Sequence, residues 1–233
     1  MLDGLFASAR ASGACALLAG FVTACGTGQS ATAPTTIPES GGLPADALPP
    51  LLRSIASGGY VIFFRHSMRD TGVLPTSMLA IVDNAVECVP GSELTSEGMA
   101  DARALGAAIR RLGISIDRVY ASPTCRTTQM ASLMFGDFRT ARALSWPGMW
   151  LPDEEPELTA GLLGLLGQVP AASRNTVLIS HNDVLQSRRV GVDVSLDQSE
   201  AAVFRPEGNG AFRLVGRIKK DQWVPPIIGT GFR

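Results

Sequence analysis

Histidine is scarce in this chain, and only two of its 233 residues are His. A surplus of one charge is also lacking, because 20 basic residues stand against 21 acidic residues and give a formal net charge of -1 at pH 7. This balance gives no electrostatic reason to expect a nucleic-acid partner, so any preference for anions must be local. The hydrophobic fraction of 45% suits one ordinary globular domain with a sizeable core.

The N-terminal apolar run is too short for a permanent membrane-spanning helix. Residues 11–24 (ASGACALLAGFVTA) carry no charge, which is typical of the apolar region of a signal peptide. They lead into residues 22–25 (VTAC), which resemble the bacterial lipobox, in which the cysteine becomes lipidated and is the new first residue. We therefore expect residues 1–24 to be a lipoprotein signal peptide and Cys25 to carry a lipid anchor. A plain secretory signal or an uncleaved anchor are the alternatives.

This interpretation predicts an exported protein held on the periplasmic or outer face of a bacterial cell-envelope membrane. Of the four cysteines, Cys15 would leave with the signal peptide, so Cys88 and Cys125 would remain as a candidate pair. Such a pair can persist as a disulfide in an oxidising compartment. The alternative is two unrelated cysteines, one in a loop and one packed as a small hydrophobe.

A tether and a folded domain follow the signal peptide. Residues 26–50 are rich in Gly, Pro, Ser, Thr and Ala without apolar periodicity, so we interpret residues 25–50 as a flexible tether. A disordered N-terminus with no spacing role is the alternative. Residues 51–233 are then the domain, in which strand and helix patterns alternate. This alternation predicts an α/β fold with a largely parallel sheet.

The predicted elements have clear sequence signals. Continuous apolar runs predict buried parallel strands, apolar residues at helical spacing predict helices, and Gly113 and Gly136 mark helix ends. The predicted strands are residues 60–64, 117–121, 176–180 and a closing antiparallel pair at 201–205 and 213–217. One predicted helix begins at Thr95-Ser96-Glu97, a second spans residues 126–135, and a third spans residues 157–169.

Both histidines follow predicted strands. His66 comes after Arg65 at the end of the first strand, Arg126 lies shortly after the second, and His181 follows the third. Ligands in open α/β sheets bind beyond the carboxyl ends of the strands, so these endings are expected to converge on one site. Two arginines and two histidines near helix N-termini would form an electropositive pocket suited to a phosphate.

These motifs together resemble the histidine phosphatase superfamily, also called phosphoglycerate-mutase-like. Its Arg-His-Gly motif is matched by residues 65–67 (RHS), and its second region is similar to residues 93–109 and 119–131. Its Ser-His pair after an apolar strand is matched by residues 180–181. The resemblance covers about residues 60–217 and implies a three-layer αβα sandwich with a mostly parallel central sheet.

The resemblance also implies a chemistry for these residues. His66 would be the nucleophile that forms a phosphohistidine, Arg65 and Arg126 would hold the phosphate oxygens, and His181 would stabilise the transition-state charge. No metal or organic cofactor is implied. Arg69 would add to the pocket or lie in an exposed loop, and Ser67 departs from the family glycine.

The proton donor for the leaving group stays open. Glu155 and Asp183 rank nearly level as candidates, and Glu154 and Glu200 are rivals. Any of the four would otherwise be ordinary solvated surface.

The expected activity is that of a phosphatase acting on a small phosphomonoester or a phosphorylated envelope component. The alternative is a catalytically weak or inactive lipoprotein that binds phosphorylated ligands in the same pocket.

Overall fold

The computed structural model describes residues 48–70, 93–149, 151–186 and 190–223. Its helices are α1 (Pro50–Ala56), α2 (Ser96–Arg111), α3 (Cys125–Phe135), α4 (Glu155–Gly167) and α5 (Asn182–Gln186). Its strands are β1 (Val61–Arg65), β2 (Ile116–Ala121), β3 (Arg139–Thr140), β4 (Asn175–Ser180), β5 (Ala201–Gly208) and β6 (Ala211–Ile218). Short 3-10 helices lie at Arg142–Leu144, Pro147–Met149 and Lys220–Trp223.

Helix α2 begins and ends where its sequence signals predict. The Thr95 side chain accepts a hydrogen bond from the backbone N–H of Gly98 at 3.0 Å and so caps the first turn. Gly113, just beyond the last turn, has φ +67°, a left-handed conformation that glycine adopts without steric cost. Gly136 follows the last residue of α3 and also has a positive φ, +80°.

The six strands form one sheet in the order β3-β2-β4-β1-β5-β6. The β3–β2, β2–β4 and β4–β1 pairs are parallel, whereas β5 is antiparallel to both β1 and β6. This arrangement confirms the predicted mostly parallel sheet with an antiparallel closing pair. Three strands that run in parallel therefore end beside one another at the centre of the sheet.

Apolar side chains on both faces of the sheet are covered, which makes the fold a three-layer αβα sandwich. One face packs against α1, α2 and α3, for example Ile62 and Phe64 of β1 against Leu105 of α2. The opposite face packs against α4 and α5, for example Phe63 against Leu162. Strand β4 is buried along its whole length, as expected of a central parallel strand covered on both sides.

The structure also contains elements that the sequence patterns did not indicate. Helix α1 has only seven residues and β3 only two, which is too short for a periodic pattern. Helix α4 keeps its predicted position despite three glycines. Among the described residues, no helix combines the length and apolarity needed to cross a membrane.

Candidate active site

Both histidines lie together beyond the carboxyl ends of the central strands. His66 follows β1 and His181 follows β4, and these strands are paired so that Arg65 lies opposite Ser180. The two imidazole ring centroids are 5.5 Å apart, with the ring planes inclined by 64°. The parallel register therefore brings together two residues that are far apart in the sequence.

The ring of His66 is held in one tautomer. Its Nδ1 lies 2.8 Å from the backbone carbonyl oxygen of Ser67, which can only accept a hydrogen bond. Nδ1 therefore carries the proton and donates it to that carbonyl, so the lone pair of the neutral ring is on Nε2. The His66 backbone N–H donates to the carbonyl of Ser180 at 3.0 Å, which fixes the peptide beside β4.

The environment of His66 favours the neutral ring. Burial lowers its pKa to about 3, and the positive charges of Arg126, Arg65 and Arg69 act in the same direction, while the hydrogen bond to the Ser67 carbonyl opposes them. An imidazole with this pKa keeps its lone pair at any physiological pH. A neutral imidazole beside several guanidinium groups is the form that attacks phosphorus.

Arg65 has part of its guanidinium free for a ligand. Its Nη1 donates to the carbonyl oxygen of Leu196 at 2.6 Å, which fixes the direction of the side chain. Its Nε is buried and has no hydrogen-bond partner among the described residues. A buried donor without a partner costs free energy, and an anion bound beside it would remove that cost.

Arg126, like Arg65, has part of its guanidinium available for a ligand. It lies in the first turn of α3, its Nη2 donates to Nδ1 of His181 at 3.1 Å, and its buried Nε has no partner in the described part of the chain. Burial lowers the pKa of Arg126 to about 10, with Arg69 and Arg65 adding to the shift. The guanidinium is therefore still protonated near neutral pH and can bind an anion.

Arg69, which the sequence left between pocket and exposed loop, acts on the same site. Its positive charge contributes to the lowered pKa values of His66, Arg126 and His181. Its backbone pairs with Leu94, just before α2. Arg69 is thus a third guanidinium that contributes to the positive potential of the pocket.

His181 is buried between two hydrogen-bonding groups. Besides the contact with Arg126, its Nε2 lies 2.9 Å from the hydroxyl of Ser122, the residue that follows β2. Burial lowers the pKa of His181 well below its ordinary value, and Arg126 is the largest charged contributor. His181 is therefore a neutral ring.

Ser67, in the position of the family glycine, belongs to a buried hydroxyl pair that the sequence did not reveal. The hydroxyl of Ser199 donates to the hydroxyl of Ser67 at 2.9 Å, and both residues are fully buried. Ser199 has φ +66° and its N–H donates to the carbonyl of His66. No local sequence pattern links residues 132 positions apart, so only the folded chain shows this contact.

Two of the four candidate proton donors are engaged elsewhere. Glu200 is buried and accepts two hydrogen bonds from Arg217, at 2.9 and 2.8 Å, and one from the backbone of Asp197. Glu154 accepts from Arg142 and from the Leu151 N–H. Through these contacts both carboxylates hold loops in place. Because Glu200 is buried, it is not ordinary solvated surface.

The other two candidates lie at helix starts. Glu155 is the first residue of α4 and is partly buried, and Asp183 is exposed in the first turn of α5. In the described part of the chain, the charged groups that shift the histidine pKa values are three arginines and His66 itself, so neither carboxylate is among them. The geometry thus does not distinguish Glu155 from Asp183 as proton donor.

The predicted cysteine roles rest mostly on residues outside the described ranges. Cys125 is buried at the start of α3 and is disulfide-bonded. Cys15, Cys25 and Cys88 all lie outside the described residues. The pairing of Cys125 with Cys88 and the lipidation of Cys25 stay predictions.

The fold and the site define a class of protein. It is an α/β sandwich in which two neutral histidines and three arginines lie at or beyond the carboxyl ends of the parallel strands, an arrangement whose positive charge suits an anion. No cluster of three or more His, Cys, Asp or Glu side chains suited to a metal ion occurs among the described residues.

The family comparison agrees with the motifs. Residues 82–147 match the model of the histidine phosphatase superfamily (branch 1). This segment contains α2, β2, the whole of α3 with Arg126, and β3, but it begins after His66 and ends before His181. The match therefore overlaps the second region of the motif resemblance, residues 93–109 and 119–131, and does not include residues 65–67 or 180–181. No curated protein sequence matches this chain.

Solved structures with a similar chain path have low sequence identity. The protein histidine phosphatase SixA complexed with tungstate is 16% identical, with a TM-score of 0.49, over 71% of this chain and 99% of that chain. Phosphoserine phosphatase from Entamoeba histolytica in complex with 3-phosphoglyceric acid is 15% identical, with a TM-score of 0.47, over 71% of this chain and 99% of that chain.

Proposed function

We propose that this chain is a phosphatase that hydrolyses phosphomonoesters through a phosphohistidine on His66. The observation that carries the proposal is the pair of buried guanidinium Nε donors of Arg65 and Arg126, which lie beside a neutral imidazole and have no hydrogen-bond partner in the described ranges. Such donors suit the oxygens of a phosphoryl group, because each buried N–H would gain a charge-assisted hydrogen bond to an oxygen.

The proposed reaction has two displacements at phosphorus. In the first, the Nε2 lone pair of His66 forms a bond to phosphorus while the bond to the ester oxygen breaks, and that oxygen leaves with a proton as an alcohol. In the second, water attacks the phosphohistidine, the P–N bond breaks, and inorganic phosphate leaves. The Nδ1–H of His66 stays bonded to the Ser67 carbonyl and keeps the ring in orientation.

The arginines would stabilise the charge that spreads over the phosphoryl oxygens in each transition state. Arg65 approaches with Nε and its remaining Nη atom, because Nη1 already donates to Leu196. Arg126 and Arg69 add positive charge on the same site. Fixed donors of this kind stabilise a transition state without reorganisation, and His181 would supply a further contact to the oxygens.

The leaving group would take its proton from Glu155 or Asp183, which remain the two proposed donors. A carboxyl group serves here only when it comes within hydrogen-bond reach of the ester oxygen in the complex. Separate Glu155→Gln and Asp183→Asn variants would identify the donor, because loss of the acid should slow an alkyl phosphate far more than p-nitrophenyl phosphate, whose leaving group needs no proton.

We also propose that the enzyme is exported and tethered to a bacterial envelope membrane through Cys25. The support is the apolar segment 11–24, the lipobox-like residues 22–25 and the tether composition of residues 26–50. The natural substrate would then be a small phosphomonoester or a phosphorylated envelope component.

A binding protein with the same pocket is the second candidate function. The observation in its favour is that Glu154 and Glu200, two of the four candidate proton donors, are bound to Arg142 and Arg217. Such a protein would bind phosphate through the arginines but would not turn over a phosphomonoester.

Turnover of p-nitrophenyl phosphate by the purified full-length chain separates the two candidates. We expect wild-type activity, an acid-labile phosphoryl adduct on His66, and loss of both in a folded His66→Ala variant. A His66→Ala variant within tenfold of wild-type activity would contradict the mechanism. Phosphate binding by a wild type without turnover would support the binding protein.

The pocket arginines provide a second arm of this experiment. Arg126→Ala should lower kcat/KM by roughly 10²-fold or more, because a charge-assisted contact to the transferring group is lost. The control is Arg118→Ala, which removes an arginine that pairs with Asp117 at 3.2 Å on the surface. If Arg126→Ala changes only the thermal midpoint, Arg126 has a structural role.

A further inference from the structure

Ser122 lies at the junction of the two strands that carry Arg126 and His181. It directly follows β2, and its backbone N–H donates to the carbonyl of Ile179 in the neighbouring strand β4 at 2.9 Å. Its own carbonyl accepts from the hydroxyl of Thr127 at 2.7 Å. The backbone of Ser122 is thus fixed on both sides, while its fully buried side chain contacts the ring of His181.

The hydrogen bonds around His181 determine its tautomer. Arg126 can only donate, so the Nδ1 atom that it contacts at 3.1 Å must carry the lone pair. The proton of the neutral ring is therefore on Nε2, which donates to the Ser122 hydroxyl at 2.9 Å. In this state the serine oxygen is an acceptor.

A bound phosphoryl group requires the opposite arrangement. This step rests on the proposed function and adds to it that Nη2 of Arg126 leaves His181 and binds a phosphoryl oxygen together with Nε. The lone pair of Nδ1 would then face an anionic oxygen, which is repulsive, whereas an N–H at that position would donate to it. A serine hydroxyl can accept or donate, so the same side chain can serve Nε2 in both states. A backbone carbonyl in place of the hydroxyl can only accept, so it would stabilise only the tautomer with the proton on Nε2.

We propose that Ser122 is a positioning residue whose hydroxyl reverses its hydrogen bond so that His181 exchanges tautomers when a phosphoryl group binds. Solvent water takes up the proton that leaves Nε2 and supplies the proton that Nδ1 gains, so the ring stays neutral. The Ser122 hydroxyl then donates to the bare Nε2. His181 thereby presents an N–H to the phosphoryl oxygen without adding a positive charge to three nearby arginines.

The scarcity of histidine makes this exchange directly measurable. With ¹⁵N-labelled histidine, the full-length chain contains four labelled ring nitrogens, from His66 and His181, and protonated and bare nitrogens differ in ¹⁵N shift. We expect His181 to have its proton on Nε2 in the free protein and on Nδ1 with saturating inorganic phosphate. An unchanged tautomer, or a ring protonated on both nitrogens, would overturn the proposal.

The variant Ser122→Ala tests the role of the hydroxyl. Without the hydroxyl, Ser122 stabilises neither tautomer, so His181 of the phosphate-bound variant should show both tautomers instead of the Nδ1–H form alone, and kcat should fall by about tenfold, as expected for one lost hydrogen bond. KM should change less, because Arg65 and Arg69 still bind the phosphate. A variant with wild-type kcat and wild-type ring shifts would overturn the proposal.

The control is Ser145→Ala. Ser145 is also buried, but its hydroxyl has no hydrogen-bond partner among the described residues. We expect its kcat and ring shifts to match the wild type, so that a fall in kcat common to both variants would count against a specific role of Ser122. Failure of the wild type to turn over p-nitrophenyl phosphate would instead refute the proposed function.

Discussion

Burial is the main cause of the neutral charge state of the His66 side chain. A histidine in water has a pKa near 6.5, but burial and the adjacent guanidinium groups lower the value here to about 3. The folded protein therefore resists protonation of this ring over several pH units. This resistance keeps the proposed nucleophile ready even in a mildly acidic compartment.

A pH titration of the labelled histidines tests this charge state. We expect the ¹⁵N shifts of His66 to remain those of a neutral ring from pH 8 down to about pH 5. Since the unfolded chain takes up a proton near pH 6.5 and the folded ring does not, this histidine should also lower the free energy of unfolding as the pH falls from about 6.5 towards 3. A titration midpoint near 6.5 for His66 in the folded protein would contradict the assignment.

Glu200 shows how the same residue type acquires a different role through its contacts. From the sequence it was a rival for proton donor, because it lies just before a strand. In the structure its two oxygens are bound by Arg217 and by the backbone of Asp197, and its carbonyl accepts from the Arg65 N–H. Its carboxylate therefore holds the loop that ends at β5.

At the scale of elements, the close contact between α2 and α3 depends on Gly106. A Cβ at this position would lie 2.5 Å from the carbonyl oxygen of Met134, which belongs to the backbone of α3 and cannot move aside like a flexible side chain. Since α3 begins with Cys125 and Arg126, this contact helps to set where the helix that carries Arg126 lies on the sheet.

Gly106→Ala should therefore destabilise the protein, by roughly 1–3 kcal/mol as overpacking does. The matched control is Gly164→Ala in α4, where a Cβ meets nothing within 4 Å. That substitution should stabilise by about 0.5–1 kcal/mol, because alanine has the higher helix propensity. Urea unfolding of both variants measures the difference, and equal midpoints for the two would show that the α2–α3 contact can relax.

At the scale of the whole molecule, the proposed anchor would place the pocket at a membrane surface. Cys25→Ser should yield an unprocessed or soluble form that no longer enters the detergent phase of Triton X-114 extracts from bacterial cells. Cys15→Ser is the control and should partition like the wild type, because the lipobox-like residues 22–25 are intact. If the wild type itself stays in the aqueous phase, the lipoprotein hypothesis fails.

The sequence by itself determined the order of the main elements and the residues that end them. Apolar runs such as residues 60–64 and 176–180 predicted parallel strands, and glycines at 113 and 136 predicted helix ends, because these signals act within a few neighbouring residues. The motif resemblance also selected His66, His181, Arg65 and Arg126, which the sheet register brings together.

Only the tertiary structure decided how those residues are connected. The contacts of Ser122 with His181 and of Ser67 with Ser199 join positions 59 and 132 residues apart, so no local pattern contains them. The lowered pKa of His66 likewise depends on burial and on charges brought in by other elements. Hydrogen-bond geometry and desolvation are properties of the packed chain, and they convert two scarce histidines into a single site.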